Sequence, residues 1–386
     1  MSKLKMGLIG GGAGAFIGPV HRMAAELDGD IELVCGAFAS DPARSHQAGV
    51  QLYGLAPVRS YGDTTEMFAA ERALPAVRRM DFVVIATPNH THFAIARAAL
   101  QAGFHVVCDK PMTLDLEQAR VLRDAVRASG LVFALTHNYS GYPLVKEARR
   151  MLLANEIGRV RRVQVEYLQG WLAGDAEAFG SKQARWRTDP ARAGAAGCFG
   201  DIGSHAQHLA EYVTGLRIES LCADLNTFVP GRRLDDDGSV LLRFAGGARG
   251  TLTASQIAVG EENALHLRVY GETGSIEWQQ QEPNTLIVKS ADRATQLRRT
   301  GGSGLSPVAA AATRLPAGHP EGFLEGFANV YRAVAAAIRA RRDGVAQAAD
   351  ALDFPGVEDG VRGMAFIEAA VQSSRRGGQW VQLADD

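Results

Sequence analysis

Short β-branched runs alternate with helical stretches through the first third of the chain, and the alternation stops near His137. Leu4–Ile9, Ile31–Phe38, Phe82–Ala86, Val106–Cys108 and Leu131–Leu135 have the length and composition of buried strands. Strands separated by helical crossovers pair in parallel, so residues 1–137 are expected to form an α/β domain, a parallel sheet with helices on both faces. The punctuation agrees. Asp63-Thr64-Thr65-Glu66 has the pattern of a capping box, and Gly103 and Gly130 stand where helices end before the next strand.

Beyond His137 the grammar changes, which places a second domain at residues 138–386. A helix near Pro143–Asn155 leads to a strand at Val160–Leu168, a long Gly/Ala/Arg-rich loop and a helix near Asp201–Val213. Strands then follow one another at Ile218–Phe228, Ser239–Phe244, Arg249–Gln256, Leu265–Tyr270, Ser275–Gln280 and Leu286–Ser290. Without crossover helices between them, these strands predict an α+β domain built on one large open antiparallel sheet. Ala291–Pro320 is expected to be a long loop, and helices near Gly322–Arg342 and Glu358–Ser374 end the chain. Val240, Leu242 and Phe244 alternate with Leu241 and Arg243, and Leu252 and Ala254 with Thr251, Thr253 and Ser255, so one sheet face is strongly apolar and the other mixed. Few helices are available to cover a sheet of this size, and a homo-oligomer is expected.

Composition narrows the partners. The 386 residues exceed what a single core usually supports, and their 41 basic and 42 acidic side chains nearly cancel. No run of like charge suits a nucleic acid or a membrane surface, and no window approaches the ~18 apolar residues of a membrane span. Met1–Gly14 is apolar but lacks a basic segment and a small-residue cleavage site, so a cytoplasmic location is expected. Cys35, Cys108, Cys198 and Cys222 are scattered without a CxxC pair and read as reduced, buried thiols.

The first strand runs straight into Gly10-Gly11-Gly12-Ala13-Gly14-Ala15-Phe16, with a helix opening near Gly18. In a Rossmann turn such glycines permit a tight bend and a close backbone approach, with pyrophosphate seated on helix N-terminal N–H groups. Two alignments fit: Gly10-x-Gly12-x-x-Ala15 in a relaxed form, or an insertion that gives Gly18 the third role. The acid that holds an adenosine ribose is absent from the end of the second strand, where Ser40 and Asp41 follow Ala39. Asp41 suits a ribose hydroxyl and NAD, Ser40 with Arg44 suits the 2′-phosphate of NADP, and Asp41 before Pro42 equally suits a helix N-cap. NAD is favoured.

Three further motifs occur in order: Ala86-Thr87-Pro88-Asn89-His90-Thr91-His92, Cys108-Asp109-Lys110-Pro111 and Gly197-Cys198-Phe199-Gly200-Asp201-Ile202-Gly203-Ser204-His205. Together they resemble the GFO/IDH/MocA oxidoreductases. The resemblance implies a Rossmann domain joined to an open-sheet domain, a nicotinamide cofactor, a sugar or inositol substrate, and sheet-to-sheet dimers that pair into tetramers. It sets Thr87, Pro88, Asn89 and His92 along the nicotinamide, with Asp109 in place of the family's usual Glu. Lys110, Asp201 and His205 become the catalytic residues. Gln169-Gly170-Trp171, Arg185 to Pro190 and Gly318-His319-Pro320-Glu321-Gly322 resemble the inositol and sugar dehydrogenase branch.

These residue types suit oxidation of a carbinol. As the C–H bond breaks the hydroxyl proton must leave, and histidine is the natural base near neutral pH. Asp201 and His205, four apart, share a face of the expected helix, and Lys110 follows a strand at the sheet edge where such folds bind ligands. His208 joins that face, but without a cysteine or a further carboxylate the set does not read as a metal site. Arg185, Trp186 and Arg187 offer an apolar face and hydrogen-bonders for a polyhydroxylated ring, with Asn138, Tyr139 and His319 as further substrate candidates. His319 is also suited to completing a neighbouring subunit's pocket. Two other functions share this pattern: a glycoside hydrolase or lyase using transient oxidation, and a non-catalytic sugar-binding regulator.

Overall fold

The structure is a computed structural model that describes residues 2–345 and 353–384. The chain divides into two compact units. One runs to Thr113 and adds Glu117–Asn138 and Phe323–Val361; the other holds Leu114–Leu116, Tyr139–Gly322 and the chain from Arg362 on.

In the first unit, strands β1 (Leu4–Gly10), β2 (Ile31–Ala37), β3 (Phe82–Ala86), β4 (His105–Cys108) and β5 (Phe133–Leu135) form the expected parallel sheet in the order β2-β1-β3-β4-β5. Leu4, Met6, Leu8, Phe82, Val84 and Val106 are fully buried, as strands covered on both faces must be. The intervening helices are α1 (Ile17–Glu26), α2 (Pro42–Tyr53), α3 (Thr64–Ala73), α4 (His92–Gln101) and α5 (Leu116–Ser129). The capping box forms: Asp63 accepts from the Glu66 N–H, and the Glu66 carboxylate accepts from the Gly62 N–H.

Strand β6 (Arg162–Leu168) belongs to the second unit, with β7 (Ile218–Asn226), β8 (Asp237–Phe244), β9 (Arg249–Ser255), β10 (Ala264–Tyr270), β11 (Gly274–Gln279), β12 (Thr285–Ser290), β13 (Gln296–Arg299) and β14 (Val381–Gln382). They form one sheet in the order β13-β12-β11-β10-β6-β9-β8-β7-β14. It is mixed rather than wholly antiparallel, because β6 inserts between β10 and β9 and pairs in parallel with β9. The long connection after β6 carries the chain to β7, beyond β9 and β8 in the sheet, which a reading of consecutive hairpins does not anticipate. That connection holds α7 (Lys182–Arg187) and α8 (Pro190–Ala193), after α6 (Pro143–Leu153) and before α9 (Ser204–Thr214).

Ala291–Pro320 is not simply a loop, since it contains β13 and α10 (Pro307–Ala311). β13 is a polar edge strand whose Leu297 is exposed, so no apolar alternation marks it, whereas α10 is announced by Ser306 at the N-cap and Pro307 behind it. Val240, Leu242, Phe244, Leu252 and Ala254 are buried and Leu241 is exposed, as the alternation predicts; Ser255 departs from it and is buried. On the exposed face Glu166, His266, Arg268, Glu277 and Lys289 form a ladder of ion pairs.

Two long helices follow, α11 (Phe323–Asp343) and α12 (Val357–Arg375). The division at residue 137 assigns α11 to the second domain, yet its stripe of Phe327, Tyr331, Val334 and Ile338 completes the core of the first unit with Val20 and Ala24 of α1. Among the described residues no helix is long and apolar enough to cross a membrane.

Candidate active site

The glycine loop closes over β1 with little room. Gly10 has φ +91°, and a Cβ there would stand 2.4 Å from the Ala86 carbonyl oxygen; at Gly12 it would stand 2.5 Å from that of Phe38. A Cβ on Gly18 would lie 2.3 Å from the Cα of Gly11, the close helix packing that the third position of the fingerprint requires. A groove of about 660 Å³ opens beside the loop, lined by Gly11, Gly12, Ala13, Gly14, Ala15 and, on α1 and α2, by Pro19, Arg22, Met23 and Tyr53. Phe16 at the start of α1 makes no side-chain cap, and the first turn carries no acid. A cradle of close-packed glycines and an uncapped helix start without an acid in its first turn fit a dinucleotide pyrophosphate, and Glu26, which also lines the groove, is ion-paired with Arg22. Ser40, Asp41 and Arg44 are exposed, and Asp41 caps α2 by accepting from the Arg44 N–H at 2.8 Å.

Lys110 follows β4 and is half-buried. Its segment is fastened by His92, a fully buried residue whose Nδ1 lies 2.9 Å from the Pro111 carbonyl and whose Nε2 lies 2.8 Å from that of Thr87. Burial pushes this imidazole below its ordinary pKa, and because both carbonyl oxygens only accept, the neutral ring donates to one of them, the Thr87 or the Pro111 carbonyl, at a time. Thr91 Oγ1 donates to Thr87 Oγ1 or the Pro88 carbonyl, and Asn89 is buried beneath. Burial alone would raise the Asp109 carboxyl. The His21 imidazole, the Lys110 ammonium and the Thr136 hydroxyl outweigh it and hold the group well below the usual carboxylate range.

In the second unit, Asp201 stands in a π-helical turn, Phe199–Gly203, that leads into α9, where the sequence predicts a plain α-helix. The turn is anchored by Asp235, whose carboxylate accepts from the Gly197 and Phe199 N–H groups at 2.7 and 2.8 Å; burial pushes this carboxyl up to about 6. Asp201 Oδ2 accepts from Gln256 Nε2 at 2.9 Å and from Arg187 Nε at 3.1 Å. The Arg187 guanidinium lies 4.1 Å from the Trp186 ring centre and 5.9 Å from that of Trp171, and it donates to Gln183 Oε1 at 2.6 Å. His205 is buried, its ring set edge-on to Tyr139 at 4.9 Å and tilted against Tyr167 at 6.3 Å. The two tyrosine hydroxyls are 2.5 Å apart, and Asn263 links them to Gln169 and Gln280. Burial raises both phenols above their ordinary pKa, so they remain protonated donors around the histidine.

Residues 4–137 match the family model described as "Oxidoreductase family, NAD-binding Rossmann fold", and residues 145–277 match "GFO/IDH/MocA C-terminal domain". The chain belongs to the GFO/IDH/MocA oxidoreductase family. It is 37% identical to an inositol dehydrogenase homologue from Azotobacter vinelandii solved with NAD+, over 99% of this chain and 97% of that one, with a TM-score of 0.93. An oxidoreductase from Sinorhizobium meliloti is 44% identical over 99% and 100% of the two chains, with a TM-score of 0.89. A levoglucosan dehydrogenase from Pseudarthrobacter phenanthrenivorans is 29% identical over 75% of this chain and 77% of that enzyme.

For a member of this family the second-unit site is richer than its motifs suggest. Trp186, Arg187 and Asp201 come together as one cluster, and Tyr139 packs on His205. Arg185 and His319 do not join them: Arg185 is exposed with its Nε 3.5 Å from the Glu177 carbonyl, and His319 is exposed with its Nδ1 3.1 Å from the Pro316 carbonyl. Asn138 is buried in the first unit. Gln256, Asn263 and Tyr167 went unforeseen, because a lone amide or phenol at a strand end carries no spacing signal. Arg22 in the cofactor groove and His21 beside Asp109 were missed too, although their place on the helix after the glycine loop could have suggested both.

Proposed function

We propose that this chain is an NAD-dependent dehydrogenase that oxidises a secondary hydroxyl of a cyclic polyol or sugar, of inositol or aldose type, to a ketone or lactone. The carrying observation is the fixed row of donors and acceptors formed by Asp201, Arg187 and Gln256, beside a histidine held by two tyrosines. A polyhydroxylated ring needs several oriented polar partners and an apolar face, and Trp186 and Trp171 supply the latter. NAD supplies the hydride acceptor, held by the Gly10–Phe16 loop with Asp41 toward the ribose.

In this reading His205 accepts the hydroxyl proton and the Lys110 ammonium stabilises the developing alkoxide. Asp201, held by Arg187, accepts a hydrogen bond from a neighbouring hydroxyl. Inositol and levoglucosan appear among the ligands and names of the relatives, and both are neutral rings rich in secondary hydroxyls. The purified protein should reduce NAD with at least one member of a panel of inositols, aldoses and anhydrosugars, and less well with NADP. No reduction with any of them overturns the reading, and cleavage of a glycoside without net NADH would replace it with the transient-oxidation chemistry. The reading includes a cytoplasmic homo-oligomer, a dimer of dimers formed through the ion-pair-bearing sheet face, which light scattering of dilute protein tests.

A further inference from the structure

The segment that carries Lys110 is linked to α1 by a chain of side chains, buried at His21, Tyr331 and Thr136 and half-buried at Asp109, to which the proposed chemistry assigns no part. His21, on α1, is fully buried. Its Nδ1 lies 2.6 Å from the Tyr331 hydroxyl on α11, and its ring packs edge-on against Phe327 at 5.2 Å and Tyr331 at 6.0 Å. The opposite nitrogen, Nε2, faces Asp109 Oδ2 at 3.9 Å. The other oxygen of Asp109 accepts from the Thr136 hydroxyl at 2.6 Å and from the Lys110 N–H at 3.1 Å. One carboxylate therefore gathers α1, β5's end and the backbone of Lys110 itself.

The proton inventory gives this chain a direction. Burial, and then the charge of Asp109, keep the Tyr331 phenol well above its ordinary pKa, so its hydroxyl keeps a proton that it can donate to Nδ1. With Nδ1 accepting from Tyr331, Nε2 is the nitrogen left to carry a proton; it makes no hydrogen bond among the described residues and faces the carboxylate. A buried N–H that faces a carboxylate is costly to orient any other way. We propose that His21 is a positioning residue for Lys110: acting through Asp109, it ties the Lys110 backbone to the helix whose first turn frames the glycine loop. The inference rests on the role given to Lys110 above.

A histidine that merely filled the core would tolerate a change at Asp109; a positioning histidine would not. The test uses His21→Gln, Tyr331→Phe, Asp109→Asn and the double variant His21→Gln/Asp109→Asn, each checked for folding by circular dichroism. The first readout needs no turnover. In protein carrying ¹⁵N-labelled histidine, the His21 ring signal, identified by its loss in His21→Gln, should move in Asp109→Asn and in Tyr331→Phe. The second is kinetic: kcat should fall about 10- to 100-fold in His21→Gln, the scale expected for misplacing a reacting group by about 1 Å, while NAD affinity stays near that of the parent. The double variant should be no worse than Asp109→Asn alone. An unmoved ring signal, an unchanged kcat in folded variants, or multiplying losses in the double variant would overturn the proposal. If His21→Gln does not fold, Tyr331→Phe decides, since it removes a single hydroxyl. A responsive His21 signal in a protein that oxidises no polyol would sustain the pairing and overturn only the assigned reaction.

Discussion

Replacing Gly18 with alanine tests how the glycine loop is built. The new Cβ would stand 2.3 Å from the Gly11 Cα and 3.2 Å from its nitrogen, and both are backbone atoms that cannot rotate aside. The loop cannot retreat either, because the Tyr53 hydroxyl donates to the Gly11 carbonyl at 2.5 Å from behind and its ring is stacked on Phe38. Relief must come from α1 moving outward by about 1 Å, toward the ~3.5 Å of an ordinary carbon contact. Overpacking of this kind costs about 1–3 kcal/mol, offset by about 1 kcal/mol from alanine's better helix propensity, so a net loss of up to roughly 2 kcal/mol is expected. The displaced helix start should also weaken NAD, by about tenfold if one charge-assisted hydrogen bond is lost. Urea unfolding and titration with NADH fluorescence measure the two effects. Gly174→Ala, where nothing lies within 4 Å, is the neutral control. A Gly18→Ala protein that matches the parent in both measurements would refute the assignment of Gly18 to the third position.

Four further outcomes follow from the sites. Lys110→Ala should bind NAD nearly normally and lose about 10²–10³ in kcat, the usual scale for one electrostatic stabiliser; near-normal turnover sinks its role. His205→Ala should abolish most activity, and the parent's oxidation rate should rise with pH through a limb that a residually active His205 variant lacks. Arg187→Met removes one of two donors on Asp201 Oδ2 and should raise KM for the polyol roughly tenfold, with NAD affinity untouched; an unchanged KM shows the clamp to be idle. His105 accepts the Val132 N–H on Nδ1 at 2.8 Å, and burial, then the Arg341 charge, lower its pKa from 6.5 to about 4. The unfolded chain thus binds the extra proton first, stability falls as pH drops from 6.5 toward 4, and His105→Asn, which accepts the same N–H without titrating, should flatten that slope in thermal unfolding.

What was legible in the sequence depended on whether the physics is local. The strands of the first unit announce themselves because a strand covered on both faces must be apolar throughout, and the capping box is visible because both partners lie within one turn. Pairing partners are less visible. Nothing in Arg162–Leu168 says that it will sit between β9 and β10, because the parallel pairing is decided by the route of the intervening chain. Edge strand β13 stayed hidden for the opposite reason: it buries little, so selection for burial leaves no pattern. The site divides in the same way. Lys110, Asp201 and His205 stand in short motifs, while the groups that orient them come from far along the chain: Gln256 lies 55 residues from Asp201, and Tyr331 lies 310 from His21. Chemistry needs only a few residue types at a few positions, but holding them still takes contacts from every layer of the fold. A motif therefore names the candidate reacting groups, and only the folded chain shows what holds the carboxylate of Asp201 and the backbone of Lys110 in place.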